Sequence, residues 1–214
     1  MTSRPEGYIP AAGHDWLLPL YDPILRFVFR DASLRQAILA GAQIGPRCRV
    51  LDVGCGTGTQ AVLVKQAHPD AEVIGVDGDA RALALARRKV ARAGVDIALD
   101  EALATALPYA DSRFDRVISS LVFHHLLEAD KRRALAEIRR VLAPGGAFLL
   151  ADFGAPVTWL EKIGGHLVMQ GEHARLHFEG GVPALLRDAG FRDVEEVGQH
   201  SAGIGRVWLW RARE

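Results

Sequence analysis

Residues 50 to 58, reading VLDVGCGTG, restrict what this chain can fold into more than any other stretch. Val50, Leu51 and Val53 surround a single acid, Asp52, in the pattern of a strand buried on both faces. The strand runs straight into Gly54, Gly56 and Gly58. Alternate glycines at a strand's end let the backbone turn tightly and approach a ligand closely, and the helix that follows presents its N-terminal N–H groups there. Asp77 closes a second apolar run about 20 residues further on, the spacing of an acid that grips a ribose. The stretch therefore predicts a nucleoside-binding corner.

Around that corner, strands and helices alternate. Strands are predicted at 50–53, 72–76, 95–99, 114–119 and 147–151, with helices at 59–68, 80–93 and 129–142 between them. Gly94 stands where a helix C-cap would, and Pro144, Gly145 and Gly146 stop the third helix. Upstream, apolar spacing predicts helices at 16–29 and 33–40. Downstream, a helix at 182–188 closes at Gly190, and strands at 194–197 and 206–211 lack an intervening helix, which predicts an antiparallel hairpin. Together these predict one α/β domain over 1–214: a Rossmann-like mixed sheet of seven strands, helices on both faces, and a C-terminal hairpin. Within it, 1–45 reads as an N-terminal helical segment on the substrate side and 46–152 as the cofactor-binding core. Residues 153–181 read as a substrate lid, and 182–214 as the C-terminal helix and hairpin.

The ligand is narrowed by what the glycine turn lacks. A dinucleotide fingerprint needs its third glycine three residues after the second, whereas these three are evenly spaced by two. A phosphate-cradling Walker loop needs Lys followed by Ser or Thr, and Gln60 and Ala61 stand instead. Asp52 would repel a nearby pyrophosphate but suits a ligand carrying an amino group and a sulfonium.

VLDVGCGTG, GVDGD at 75–79, LPYADSRFDRV at 107–117 and RVLAPGGAFLLAD at 140–152 resemble, in order and spacing, the class I S-adenosylmethionine-dependent methyltransferases. LLRDAGFRDVEEV at 185–197 is similar to the same family, and the nearest branch is that of the ubiquinone and menaquinone C-methyltransferases and related small-molecule enzymes. The resemblance implies S-adenosylmethionine as cofactor, S-adenosylhomocysteine as product and a small-molecule acceptor. It puts Gly54, Cys55, Gly56 and Gly58 along the methionine portion, Asp52 at its amino group, and Asp77 with Gly78 at the ribose. Ser119 and Ser120 would face the methionine portion and the methyl group, and Leu103 and Ala104 hold the positions beside adenine. Many relatives have an acid where Leu103 stands, so the adenine amine must find another partner here.

His124 and His125 follow the fourth strand, where a parallel sheet places its ligand crevice, and are the candidate catalytic bases; packing against the next helix is the competing role for each. The acceptor pocket is expected from Trp16, Tyr21, Phe123, Asp152, Phe153 and Trp159, and the apolar residues of 159–178 suggest an apolar or aromatic acceptor. His173 and His177, at i and i+4, lack a third ligand, so no metal is expected. The balance of 26 basic against 26 acidic residues argues against a nucleic-acid partner. Without a long apolar span or a signal-like N-terminus, the chain is expected to be cytoplasmic, with no stable membrane insertion; a homodimer is allowed for. Two rivals stay open at this point: a protein that binds S-adenosylmethionine without transferring its methyl, and an NAD-linked oxidoreductase.

Overall fold

A computed structural model describes residues 31–159, 175–177, 179–201 and 205–214. The predicted helix at 16–29, Trp16, Tyr21, His173 and most of the expected lid lie outside them. Helix α1 (Asp31–Ala42) leads into strand β1 (Arg49–Val53), then α2 (Thr59–Ala67), β2 (Glu72–Asp77), α3 (Ala80–Ala93) and β3 (Ala98–Glu101). Strand β4 (Phe114–Ser120), a 3-10 turn (Phe123–His125), α4 (Glu128–Val141) and β5 (Leu142–Phe153) follow, and α5 (Val182–Asp188), β6 (Asp193–Ser201) and β7 (Arg206–Arg213) complete the order.

The seven strands form one sheet in the order β3-β2-β1-β4-β5-β7-β6. β1 to β5 pair in parallel; β7 runs antiparallel to both β5 and β6, making the expected hairpin. The order reverses at β1, so the carboxyl ends of β1 and β4 diverge around a crevice, where open α/β sheets bind ligands.

Alternation along each strand builds two cores. Leu51, Val53, Val117, Phe148 and Leu150 face α4 and α5 through Leu135, Ile138, Val182 and Leu186. Val50, Val73, Ile118, Leu149 and Ala151 face α1 and α2 through Leu34, Ile38, Ala61 and Val64. Both faces are covered, which is why the strands read as unbroken apolar runs.

Two boundaries moved for physical reasons. Val95 and Asp96 precede β3, which starts at Ala98, because Gly94 in the left-handed region (φ 65°) caps α3 and the chain needs several residues to re-enter the sheet. β5 begins at Leu142, paired with Phe114, but β4 advances only to Arg116 while β5 advances to Ala147, so Pro144–Gly146 bulge out between two paired runs. Arg140 clamps this end: it donates to the Leu107 and Tyr109 carbonyls and binds Glu137 and Asp111, tying two of the sequence blocks together. Among the described residues no helix is long and apolar enough to cross a membrane.

Candidate cofactor and active site

The turn after β1 is built from three left-handed glycines: Gly54 (φ 70°), Gly56 (φ 54°) and Gly58 (φ 76°). Their reasons differ. A Cβ on Gly54 would lie 2.4 Å from Val122, and one on Gly58 would lie 3.0 Å from the Ala86 Cβ, so these two glycines let the turn pack against the segment after β4 and against α3. A Cβ on Gly56 would meet nothing within 4 Å, so its side-chain position opens onto free space. The Gly54 and Cys55 N–H groups both donate to the Val76 carbonyl, fastening the turn to the end of β2.

Cys55 does not face the ligand side. Its Sγ would be 2.9 Å from a Cβ on Gly75, so the thiol fills the space that glycine leaves in β2, and burial pushes its pKa up. Any part Cys55 plays in binding falls to its backbone.

Asp77 sits at the end of β2, its Oδ2 accepting from the Gly56 N–H at 2.8 Å and its Oδ1 from the Asp79 N–H at 2.8 Å. One carboxylate thus braces the glycine turn and the first turn of α3 together. The loop after β3 arrives beside it: the Ala102 N–H donates to the Asp77 carbonyl, Leu103 is exposed, and Ala104 packs on the core. Asp100 receives the Tyr109 hydroxyl at 2.9 Å and is held at the sheet. Replacing Asp77 by alanine is expected to weaken S-adenosylhomocysteine binding by about 1.5–3 kcal/mol, the value of a charged hydrogen-bond pair, as read by titration calorimetry.

Asp52 is 2% exposed, and its Oδ2 has no hydrogen-bond partner. Burial raises its pKa to about 7; the Arg35 cation of α1 and the Ala61 backbone N–H work against that rise, and the Asp77 charge adds to it. On the other limb of the turn Gln60 is 3% exposed with both amide atoms unpartnered. Three orphaned polar atoms at one strand-to-helix turn are costly unless a ligand or water completes them. A ligand ammonium at Asp52 would select the ionised carboxylate. Affinity for S-adenosylmethionine should then rise with pH, by roughly tenfold per unit below about 7, and level off above it. The sign for stability is opposite. A carboxyl raised from 3.8 to about 7 binds its proton in the folded state first, so this group's contribution to stability falls as pH rises through that window. Asp52→Asn should flatten both dependences, measured by calorimetry and urea unfolding between pH 5.5 and 8.5.

At the end of β4, the fully buried Ser119 donates its hydroxyl to the Val53 carbonyl at 2.9 Å, joining β4 to β1. Only Ser120, half-buried, is turned the other way. Leu121 follows with φ 58° and its N–H on the Ala151 carbonyl, swinging the chain into the 3-10 turn. Phe123 corrects an expectation: it is fully buried, 6.1 Å from the Phe148 ring, so its side chain belongs to the core and not to a pocket wall.

Asp152 also departs from the role of a wall. It is fully buried at the end of β5 and accepts from His124 Nδ1 at 2.6 Å, from the His124 backbone N–H at 3.2 Å and from the Phe153 N–H at 2.7 Å. Burial alone would raise its pKa, but the His124 charge and hydrogen bond, His177 and the Phe153 N–H outweigh it and hold the carboxyl well below its usual range. The His124 ring lies 3.9 Å from that of His125 and meets Phe153 edge-on at 4.9 Å. His177, fully buried, bonds the Phe153 carbonyl through Nδ1 at 2.8 Å, and burial lowers its pKa. Trp159 is exposed.

Sequence reasoning missed Asp152 as a partner and Gln60 altogether. The Asp152 signal was present, since an acid ending an apolar strand is the pattern that marked Asp77. Gln60 carries no such pattern; only its buried, unpartnered amide marks it. Among the described residues no group of three or more candidate ligands could hold a metal.

Residues 50–146 match the family model described as a methyltransferase domain. The demethylmenaquinone methyltransferase of Thermus thermophilus is 38% identical over 143 residues, 65% of this chain and 64% of that protein. The enzyme of the same name from Deinococcus radiodurans is 37% identical over 146 residues, 67% of this chain and 60% of that protein. The chain thus spans less than two thirds of the length of these curated relatives. Among solved structures, the YcgJ protein of Bacillus subtilis superposes with a TM-score of 0.70 at 21% identity, over 86% of this chain and 99% of that one, a likeness of fold. Fold, glycine turn and paired carboxylates point to one class, and over residues 50–146 the chain is similar to the S-adenosylmethionine-dependent methyltransferases. Within that class its curated relatives include the menaquinone and ubiquinone C-methyltransferases.

Proposed function

We propose that this protein transfers a methyl group from S-adenosylmethionine to a small, apolar or aromatic acceptor by in-line displacement, releasing S-adenosylhomocysteine. The observation that carries this reading is the glycine turn, open at Gly56 and flanked by Asp52 and Asp77, with neither the Lys-Ser/Thr pair of a Walker loop nor the glycine spacing of a dinucleotide fingerprint. The orphaned Asp52 and Gln60 atoms fit the ammonium and carboxylate of an amino-acid tail. S-adenosylmethionine supplies a methyl on a sulfonium, already an activated electrophile. The protein's work is then to orient and to exclude water.

In this reading Asp77 and Gly78 hold the ribose, Leu103 and Ala104 flank the adenine, and Ser120 stands at the methyl side with the Ser119 backbone. His124, His125, Phe153 and Trp159 belong to the acceptor side, joined by Trp16 and Tyr21 from the N-terminal segment. An apolar acceptor is supported by the exposed large hydrophobic residues, Leu103, Leu127, Val157 and Trp159. All four follow β3, β4 or β5 in the chain, on the side of the strands' carboxyl ends. The names of the demethylmenaquinone methyltransferase relatives point the same way.

A screen of apolar aromatic and small hydrophilic acceptors, read by S-adenosylhomocysteine release, tests the reading. Turnover confined to apolar acceptors is expected. Turnover confined to hydrophilic ones, or tight cofactor binding with no product from any acceptor, would overturn it.

A further inference from the structure

The strongest unassigned feature is a buried polar group at the carboxyl ends of β4 and β5. Asp152 of β5 receives three hydrogen bonds, from the His124 ring, the His124 backbone and Phe153. An ionised carboxylate can only accept, so the ring proton at the 2.6 Å contact belongs to His124 Nδ1. In the neutral ring that leaves Nε2 with its lone pair. The ring is pinned on two more sides, by His125 at 3.9 Å and by the edge of Phe153 at 4.9 Å. The Phe153 carbonyl is in turn held by His177, which ties this strand end to the C-terminal part of the expected lid. Lys131 of α4, 1% exposed, adds a cation within electrostatic reach of Asp152, with Glu128 near it.

We propose that Asp152 is a positioning residue that fixes the tautomer and direction of His124, and that His124 Nε2 is the general base for an acceptor methylated on the oxygen of an acidic, aryl-type hydroxyl. The proposal rests on the methyl-transfer reading above. An oriented base is needed most by a hydroxyl, since an amine or thiolate attacks with a lone pair it already has. Magnitude then selects among hydroxyls. A phenol-type O–H is about six pK units more acidic than a water-like hydroxyl near 15.7, and so gives its proton to an oriented base far more readily. In the step, the acceptor O–H bond breaks and its proton goes to His124 Nε2. The oxygen forms a bond to the methyl carbon as the carbon–sulfur bond breaks with its electron pair left on sulfur. The products are an aryl methyl ether, S-adenosylhomocysteine and an imidazolium that returns its proton to solvent.

The test uses the full chain, Asp152→Asn and His124→Gln, with S-adenosylhomocysteine affinity as the check that each variant folds and keeps its cofactor site. Nitrogen-15 imidazole spectra, which need no acceptor, should show His124 protonated at Nδ1 in the wild type and shifted toward the Nε2–H form in Asp152→Asn. Turnover is then measured on para-substituted phenols of graded acidity, with the methylated atom identified by mass spectrometry and NMR. Both variants should lose about 100-fold or more in kcat on weakly acidic phenols, in the manner of a removed general base, and less than about tenfold on nitrophenols that are already ionised. KM for S-adenosylmethionine should stay within about twofold. An Nε2–H tautomer in the wild type, equal losses across the series, ring C-methylation, or no phenol turnover by a wild type that binds S-adenosylhomocysteine would each overturn the proposal. A wild type that fails to bind S-adenosylhomocysteine would instead sink the methyl-transfer reading beneath it.

Discussion

Gly56→Val is expected to abolish cofactor binding while leaving the protein folded. The residue sits at φ 54°, donates its N–H to Asp77, and has no atom within 4 Å of where a Cβ would stand. A branched side chain there would project into open space that, on the cofactor reading, the methionine portion occupies. The intrinsic cost of the left-handed backbone is about 1–2 kcal/mol, which in a chain of this size lowers Tm by about 2–8 °C. Loss of S-adenosylhomocysteine affinity should be about 100-fold or more, equivalent to about 2.8 kcal/mol. Gly58→Ala provides the contrast: its Cβ would press on Ala86 at 3.0 Å, so stability should suffer before affinity does. Retention of affinity within about threefold by Gly56→Val would show that the open side of the turn is not the binding side.

The largest effect on stability is expected at Phe148. It is fully buried in β5, between Val117 of β4 and Ala212 of β7 in register, with Phe123 at 6.1 Å and Phe191 at 6.0 Å. Phe148→Ala removes the ring that joins the turn before His124 to the chain after α5, and neighbours fixed on a sheet can collapse only partly into the space. The cost should be about 3–5 kcal/mol, seen as a lower urea midpoint at constant m and a Tm drop of about 6–20 °C. A loss under about 1 kcal/mol would mean that this face is loosely packed.

How much of this was legible in the sequence varied with the kind of interaction. The β1 turn could be read because local chemistry decides it: positive φ at Gly54, Gly56 and Gly58 follows from their being the residues that tolerate it. Helix α3 ended at Gly94 for the same reason. The sheet and its antiparallel edge followed from alternation and from the missing helix between β6 and β7. What could not be read was which way a side chain turns once strands pair. Ser119 stood at the right height to meet a ligand, yet its hydroxyl goes to Val53 across the β1–β4 seam. Cys55 lies inside the glycine turn, yet its thiol fills the space over Gly75, twenty residues away in sequence. Asp152 and His124 are 28 positions apart and meet only because β4 and β5 are neighbours in register. Local signals report on backbone conformation; pairing across strands decides the partners.

The most direct test is a competitive titration of S-adenosylhomocysteine, NADH and ATP into the 214-residue chain at pH 7.5. The expected result is saturable one-to-one binding of S-adenosylhomocysteine, lost in Gly56→Val, with no competition from NADH or ATP. Binding of NADH or ATP at that turn, with no affinity for S-adenosylhomocysteine, would contradict the reading of Asp52 and Asp77 as the two jaws of a cationic methyl donor's site.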